Sequence, residues 1–259
     1  MKEQERIQEI LKRLDQVYGT ETKTYLEHEN AWQLLVATIL SAQCTDARVN
    51  LVTRDLFRKY DSLEKLAAAR QEELEQDIFT TGFYHNKAKN IIACAKALLE
   101  RYGGEVPSDM ESLTALPGVG RKTANVVRGN IFGIPSVVVD THVGRIARRL
   151  GLSNNQDPVK VEFDLMEKVP EDHWILINLD LIALGRSICK APRANCGECF
   201  LQDLCPSFAG AGHARPYGED ASLGAEGLSR CTLEKAVGKR GKIVYTDKAK
   251  SQNSEVEHV

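Results

Sequence analysis

The sequence predicts an all-α protein. Almost every apolar repeat falls at helical spacing. The one β-branched run, Ser136-Val137-Val138-Val139, has no second segment with which to form a sheet. The connections are short and carry residues that start or stop helices. With 259 residues, 42% of them hydrophobic, the chain is long enough for one large or two small domains.

Taken in order, Ile7, Ile10, Leu11, Leu14 and Val17 mark the apolar stripe of a first helix. Asn30 with Gln33 spells a capping box ahead of an apolar helix over 32–42. Thr45 caps the next helix, with Val49, Val52, Leu56 and Phe57 turned inward. Asp61 with Glu64 starts a short helix, and another runs over 71–79. Asn86 opens a helix with Ile91, Ile92, Ala95, Leu98 and Leu99 on one face, stopped by Gly103-Gly104. Ser108 with Glu111 is a further capping box, before Leu113 and Leu116. Helices follow over 122–131 and 141–150. Asp157-Pro158 joins a cap to a proline at the first helical position. A long apolar helix over 174–188 leads into a cysteine-rich loop. From 207 to 259, Gly, Ala, Ser and charge dominate and periodicity fades, so a disordered tail is expected.

The formal net charge of −2 does not announce a nucleic-acid binder, but its distribution is uneven. Between 121 and 149 six basic residues (Arg121, Lys122, Arg128, Arg145, Arg148 and Arg149) face one acid, Asp140, for a local charge of +5. No apolar run approaches the roughly 20 residues of a membrane span. The charged N-terminus lacks a secretory signal pattern. A cytoplasmic protein with reduced thiols is expected.

Leu116-Pro117-Gly118-Val119-Gly120 separates two helices, with proline closing the first. Gly118 and Gly120 permit a tight turn without side chains in the way, so backbone N–H groups can face a phosphate. This is the helix–hairpin–helix device, which grips a DNA backbone without reading its sequence. Arg121 and Arg145, from the basic segment, are candidate DNA contacts with the two glycines. Lys122 sits just inside the second helix. There the positive helix end and Arg121 both disfavour an ammonium, which suits a nucleophile better than a structural lysine. Bringing a lysine from about 10.4 to the ~7–8 of a reactive amine requires roughly 4 kcal/mol. The helix end supplies at most ~2, so partial burial is expected to supply the rest. The alternative is a lysine that clamps phosphate. Asp140 can meet Lys122. The helix from 122 is roughly 14 Å long, and residues 133–140, largely extended, span up to about 25 Å back. Asp140 also precedes a helix and fits an N-cap, where the dipole keeps it ionised.

Seven cysteines are present, four of them within CKAPRANCGECFLQDLC. Cys189, Cys196, Cys199 and Cys205 on one loop can enclose a tetrahedral zinc or an iron–sulfur cube, and spacing does not separate the two. Lys190 and Arg193, inside the loop, can also reach phosphate. On pattern alone Gln43 reads as a polar helix-end residue and Phe83 as core.

These segments together resemble the endonuclease III family of DNA glycosylases. The resemblance runs from about 3 to 206 and is most specific in LSAQCTDARVN (40–50), GFYHNKAKNI (82–91), LPGVGRKTANVV (116–127), VDTHVGRIARRLG (139–151) and the four-cysteine loop. It implies two helical domains: a six-helix barrel over 24–134, and a cluster domain of 1–23 with 135–206. It implies a [4Fe-4S] cluster on the four cysteines, and a monomer acting on double-stranded DNA that carries a damaged, typically oxidised, pyrimidine or an abasic site. It implies that Lys122 attacks the sugar and forms a Schiff base, assisted by Asp140, and that β-elimination nicks the strand. By the same resemblance Gln43 enters the space left by the flipped base, and Phe83 wedges into the stack, where family members often carry leucine. One departure is Leu184-Gly185-Arg186, where the family often has His-Gly-Arg. The adenine-mismatch branch fits less well: it lacks the lysine and carries a glutamate at the position of Ile39. A non-catalytic DNA-binding module, with Lys122 as phosphate clamp, is the alternative from another class.

Overall fold

The computed structural model describes residues 1–210 and two short strands, 236–237 and 243–244. Met1–Ala211 forms one compact unit and Gly212–Val259 a second. In the first, α1 (Glu3–Tyr18), α2 (Ala31–Leu40), α3 (Asp46–Lys59), α4 (Leu63–Ala67), α5 (Gln71–Ile78) and α6 (Tyr84–Tyr102) are followed by α7 (Met110–Thr114), α8 (Arg121–Phe132), α9 (Thr141–Arg149), α10 (Pro158–Lys168), α11 (Trp174–Ser187) and α12 (Pro206–Gly210). In the second, β1 (Ala236–Val237) pairs antiparallel with β2 (Ile243–Val244). The tail expected over 207–259 lies mostly outside the described residues, although 207–210 belong to α12.

Local chemistry explains most helix starts. Asn30 accepts from the Gln33 N–H at 3.1 Å, but Gln33 reaches back to Glu29 rather than to the cap itself. Thr45 and Asp157 cap α3 and α10 as expected. Two caps fall one residue later than the sequence suggests. Ser62, not Asp61, accepts from Lys65, because Asp61 turns outward to pair with the Lys65 ammonium. Asp109, not Ser108, caps α7, and as the stronger acceptor it takes the Ser112 N–H at 2.8 Å. α6 starts at Tyr84 rather than Asn86, behind a Phe83 whose backbone is left-handed. The 136–139 run forms no strand. It is irregular backbone, buried at Ser136, Val137 and Val138 and half-buried at Val139, with the Val137 carbonyl held by Asn125.

Two hydrophobic cores lie in the first unit. One spans α2 to α8, from Leu26 to Val127. The other joins Ile7, Ile10, Leu11 and Leu14 of α1 to residues between Val137 and Leu204. Polar straps fix α1 to the second core: Arg6 donates to the Leu150 and Leu204 carbonyls, and Arg13 pairs with Asp203 at 2.6 Å. Within that core α9 and α11 approach closely at Gly185, where a Cβ would lie 2.7 Å from the His142 ring and 2.9 Å from Ile146.

Candidate nucleic-acid interface and active site

The hairpin is anchored by what it buries. Leu116 and Val119 enter the first core, while Gly118 and Gly120 stay exposed. Gly118 has φ +77° and rests against Asn90 of α6. Gly120 is the N-cap of α8, and no side chain among the described residues caps that helix. Its first-turn N–H groups therefore remain available to an anion.

Lys122 is exposed, and its amine has no hydrogen bond or ion pair among the described residues. The partial burial expected of it is therefore absent, because the start of α8 projects from the hairpin toward solvent. Arg121 differs from expectation as well. Its guanidinium grips Glu162 of α10 with contacts of 2.7, 2.9 and 3.1 Å and lies 5.2 Å from the Phe163 ring centre. That pairing holds the Arg121 guanidinium above its ordinary pKa and engages the charge that was expected to face DNA and Lys122. Glu162, only 6% exposed, also accepts from Asn125 at 2.9 Å, and Asn125 donates to the Val137 carbonyl at 3.0 Å. The returning segment is thereby pinned to the first half of α8. Asp140 follows three residues on, caps α9 through the Val143 N–H at 2.8 Å, and keeps its second oxygen 3.6 Å from His142.

Arg145 donates to the Cys189 carbonyl at 3.0 Å, on the cysteine loop.

Gln43 and Phe83 are brought together. With Asn86, Lys87, Asn90 and Gly118 they line a cavity of about 200 Å³. Both have left-handed backbone, φ 54° and 50°, and no other non-glycine residue among those described does. Phe83 is 63% exposed, so the pattern-based reading of it as core fails: the left-handed turn lifts it off the stripe of α6. Such strain at exposed, non-glycine positions is characteristic of functional sites.

The cysteine loop is folded by two 3₁₀ turns, Cys196–Glu198 and Gln202–Leu204. Burial pushes the Cys199 thiol up to about 12, and Cys189, Cys205 and Cys196 push it the same way. Burial likewise raises Cys205, with Cys189 and Cys196 adding to it. The Cys205 thiol donates to the Arg149 carbonyl at 3.4 Å. The Arg149 guanidinium donates to the Cys189 sulfur at 3.1 Å, which supplies positive charge beside it. No three His, Cys, Asp or Glu side chains among the described residues converge closely enough to hold a single ion. A cube with one thiolate per corner needs no such convergence, so the donor set fits the cluster.

Two working residues are missed by sequence reasoning. Lys87 and Glu162 are buried charges, with Lys87 on the apolar stripe that runs through Ile91, Cys94, Ala95 and Leu98. A charge on a core stripe is the signal that finds such residues.

Residues 36–171 match the model of the HhH-GPD superfamily base excision DNA repair protein. Endonuclease III of Synechocystis sp. is 48% identical over 204 residues, covering 78% of this chain and 93% of that one. Endonuclease III of Bacillus subtilis is 52% identical over 181 residues, covering 70% and 83%. A solved structure of a trapped endonuclease III–DNA covalent intermediate, an estranged-adenine complex, superposes with a TM-score of 0.77 at 42% identity and covers 82% of this chain and 99% of that one. A thermostable thymine-DNA glycosylase, at 22% identity and a TM-score of 0.71, shares the fold.

Proposed function

The chain belongs to the HhH-GPD superfamily of base excision DNA repair proteins and, within it, to the endonuclease III family, and from that premise we propose how its residues divide the work. The protein is a base excision repair enzyme, a DNA N-glycosylase and abasic-site lyase. Its substrate is double-stranded DNA with an oxidised pyrimidine or an abasic site, bound by a monomer where the DNA lies in the cytoplasm. The barrel of 24–134 and the cluster domain of 1–23 with 135–206 flank the DNA.

Gly118, Gly120 and the uncapped start of α8 hold a phosphate, and Lys190 and Arg193 of the cysteine loop hold another. Phe83 enters the stack while Gln43 fills the place of the extruded nucleotide. Lys122 Nζ attacks C1′, and the C1′–N bond breaks with its electron pair going to the base. Opening of the sugar gives an imine on Lys122. Water then takes a C2′ proton, the C–H electron pair forms a C2′=C3′ double bond, and the C3′–O bond breaks with its pair on the departing 3′ phosphate, which nicks the strand. Asp140 steadies the cation that develops at C1′. The thiolates of Cys189, Cys196, Cys199 and Cys205 hold a [4Fe-4S] cluster, which when bound cross-links the loop. Arg149 and Arg145 hold the loop to α9 by hydrogen bonds to Cys189.

The observation that carries this reading is the likeness, at 42% identity, to a trapped endonuclease III–DNA covalent intermediate, beside a Lys122 amine that has no partner among the described residues at the start of α8. Borohydride added to protein and abasic-site DNA tests it. A covalent adduct is expected from the intact chain and none from Lys122→Ala. An intact chain that forms no adduct would leave Lys122 as a phosphate clamp.

A further inference from the structure

We infer that Lys87 is a positioning residue for strand opening: its buried ammonium ties together the two turns that present Gln43 and Phe83. The inference rests on the reading of those two side chains as the devices that open the duplex. Lys87 is 5% exposed, and its amine donates to the Leu40 carbonyl at 2.9 Å and the Thr81 carbonyl at 2.8 Å. These acceptors lie 47 and 6 residues before it in the chain. Leu40 is the last residue of α2, and Gln43 follows with φ 54°. Thr81 ends the 3₁₀ turn Phe79–Thr81, and Gly82 and Phe83 follow with φ 70° and 50°. Both carbonyls are at C-terminal helix ends, where backbone acceptors are unpaired and a cation is favoured.

A core position on α6 is a costly place for an ammonium, and a leucine or methionine would pack there without that cost. Burial accordingly lowers the Lys87 pKa, with Cys44 opposing weakly. What the charge adds is a fixed separation between two loops that no other hydrogen bond among the described residues joins. Left-handed backbone at non-glycine residues persists only where its surroundings over-determine it. Lys87 supplies that constraint to both turns at once. It lines the same cavity as Gln43 and Phe83, and so sets the distance between the filler and the wedge.

The test compares two substrates of one sequence, a duplex with thymine glycol paired to adenine and a duplex with a preformed abasic site, in single-turnover reactions. Lys87→Met keeps the stem and removes the donor. Excision of the paired base is expected to fall about 10- to 100-fold, as for other small misplacements of catalytic geometry, while abasic-site nicking changes less than about threefold. If Lys87 acts through its two clients, Lys87→Met added to Gln43→Ala/Phe83→Ala causes little further loss. Lys87→Gln, which can still donate to one carbonyl, should fall between Met and wild type, and it serves alone if the Met variant does not fold. Equal loss on both substrates, full additivity, or wild-type excision by a folded variant would overturn the inference. Wild-type protein that neither excises thymine glycol nor forms the borohydride adduct would instead overturn the functional reading on which it rests.

Discussion

Gly118→Ala and Gly120→Ala each add one methyl to the same hairpin, and the structure assigns them opposite consequences. At Gly118 φ is +77°, and an added Cβ would lie 2.8 Å from the Asn90 Cβ and 3.3 Å from its Cγ. Left-handed backbone costs alanine about 1–2 kcal/mol relative to glycine. The clash meets the root of a helical side chain rather than a flexible tip, so the turn must shift, at roughly a further 1–3 kcal/mol. A loss of about 2–5 kcal/mol lowers Tm by roughly 5–15 °C in a chain of this size. At Gly120 the methyl meets nothing within 4 Å among the described residues. The poorer cap costs a few tenths of a kcal/mol, and stiffening of the unfolded chain returns about 0.4–1, so Tm stays within about 2 °C. On the proposed reading, that methyl stands where a phosphate approaches the first N–H groups of α8. Losing one charge-assisted hydrogen bond, about 1.5–3 kcal/mol, weakens DNA binding roughly 10- to 100-fold. Thermal melting and fluorescence anisotropy on a duplex with a reduced abasic site, at one fixed salt concentration, read the two effects separately. Wild-type DNA affinity in Gly120→Ala, or wild-type melting in Gly118→Ala, would refute the reasoning.

Lys122→Gln should abolish strand nicking while DNA binding stays measurable by anisotropy; residual nicking would point to another amine. Glu162→Ala removes the shared acceptor of Arg121 and Asn125. Because the Arg121 side chain is 37% exposed, the cost falls below that of a fully buried pair, at about 2–3 kcal/mol in urea unfolding. Cys199→Ser should lose iron by elemental analysis and melt lower than wild type; a full iron complement would remove Cys199 from the ligand set. Burial, with Asp15 adding and His173 opposing, pushes the Asp180 carboxyl up to about 7 from 3.8. Between those values the folded chain keeps a proton that the unfolded chain releases, so stability is full below about pH 4 and falls as pH rises to about 7, by at most roughly 4 kcal/mol. Asp180→Asn should therefore be the more stable protein at pH 8, by about 1–4 kcal/mol, and match wild type near pH 4. Urea midpoints that differ equally at both pH values would sink that assignment.

The sequence makes the local features legible and leaves the long-range ones hidden. Helix periodicity, the Thr45 and Asp157 caps and the hairpin depend on neighbouring residues, and they appear where the pattern puts them. Where two adjacent residues can both cap, as at Asp61-Ser62 and Ser108-Asp109, the path of the chain chooses, and the pattern misses by one. Arg121 was legible as a cation but not as a partner of Glu162, 41 residues away. Arg145 is legible as a cation but not as a donor to the Cys189 carbonyl, 44 residues away. The exposure of Phe83 follows from a left-handed backbone, which hydrophobic periodicity does not encode. Four cysteines on one loop point to a metal site but not to its occupant, since zinc and a cube accept the same ligands.

The site is built on two separate scaffolds that meet at the hairpin. Lys87 and Asn90, three residues apart on α6, fall on one face of that helix. Lys87 holds the turns of Gln43 and Phe83, and Asn90 seats Gly118. The Glu162–Arg121–Asn125 network sets α8 against the segment that ends at Asp140. Lys122, the proposed nucleophile, belongs to the second scaffold, yet it follows Gly118 by only four residues. A displacement forced at Gly118 therefore travels to Lys122, and a shift of about 1 Å at a nucleophile costs on the order of a hundredfold in rate. Gly118→Ala should accordingly lose nicking rate even at temperatures where it remains folded. Gly120→Ala meets no resistance and forces no such shift, so its rate at saturating DNA should stay near wild type. On the proposed reading, the seat of Gly118 on α6 is thus what registers the opened duplex against the Lys122 amine.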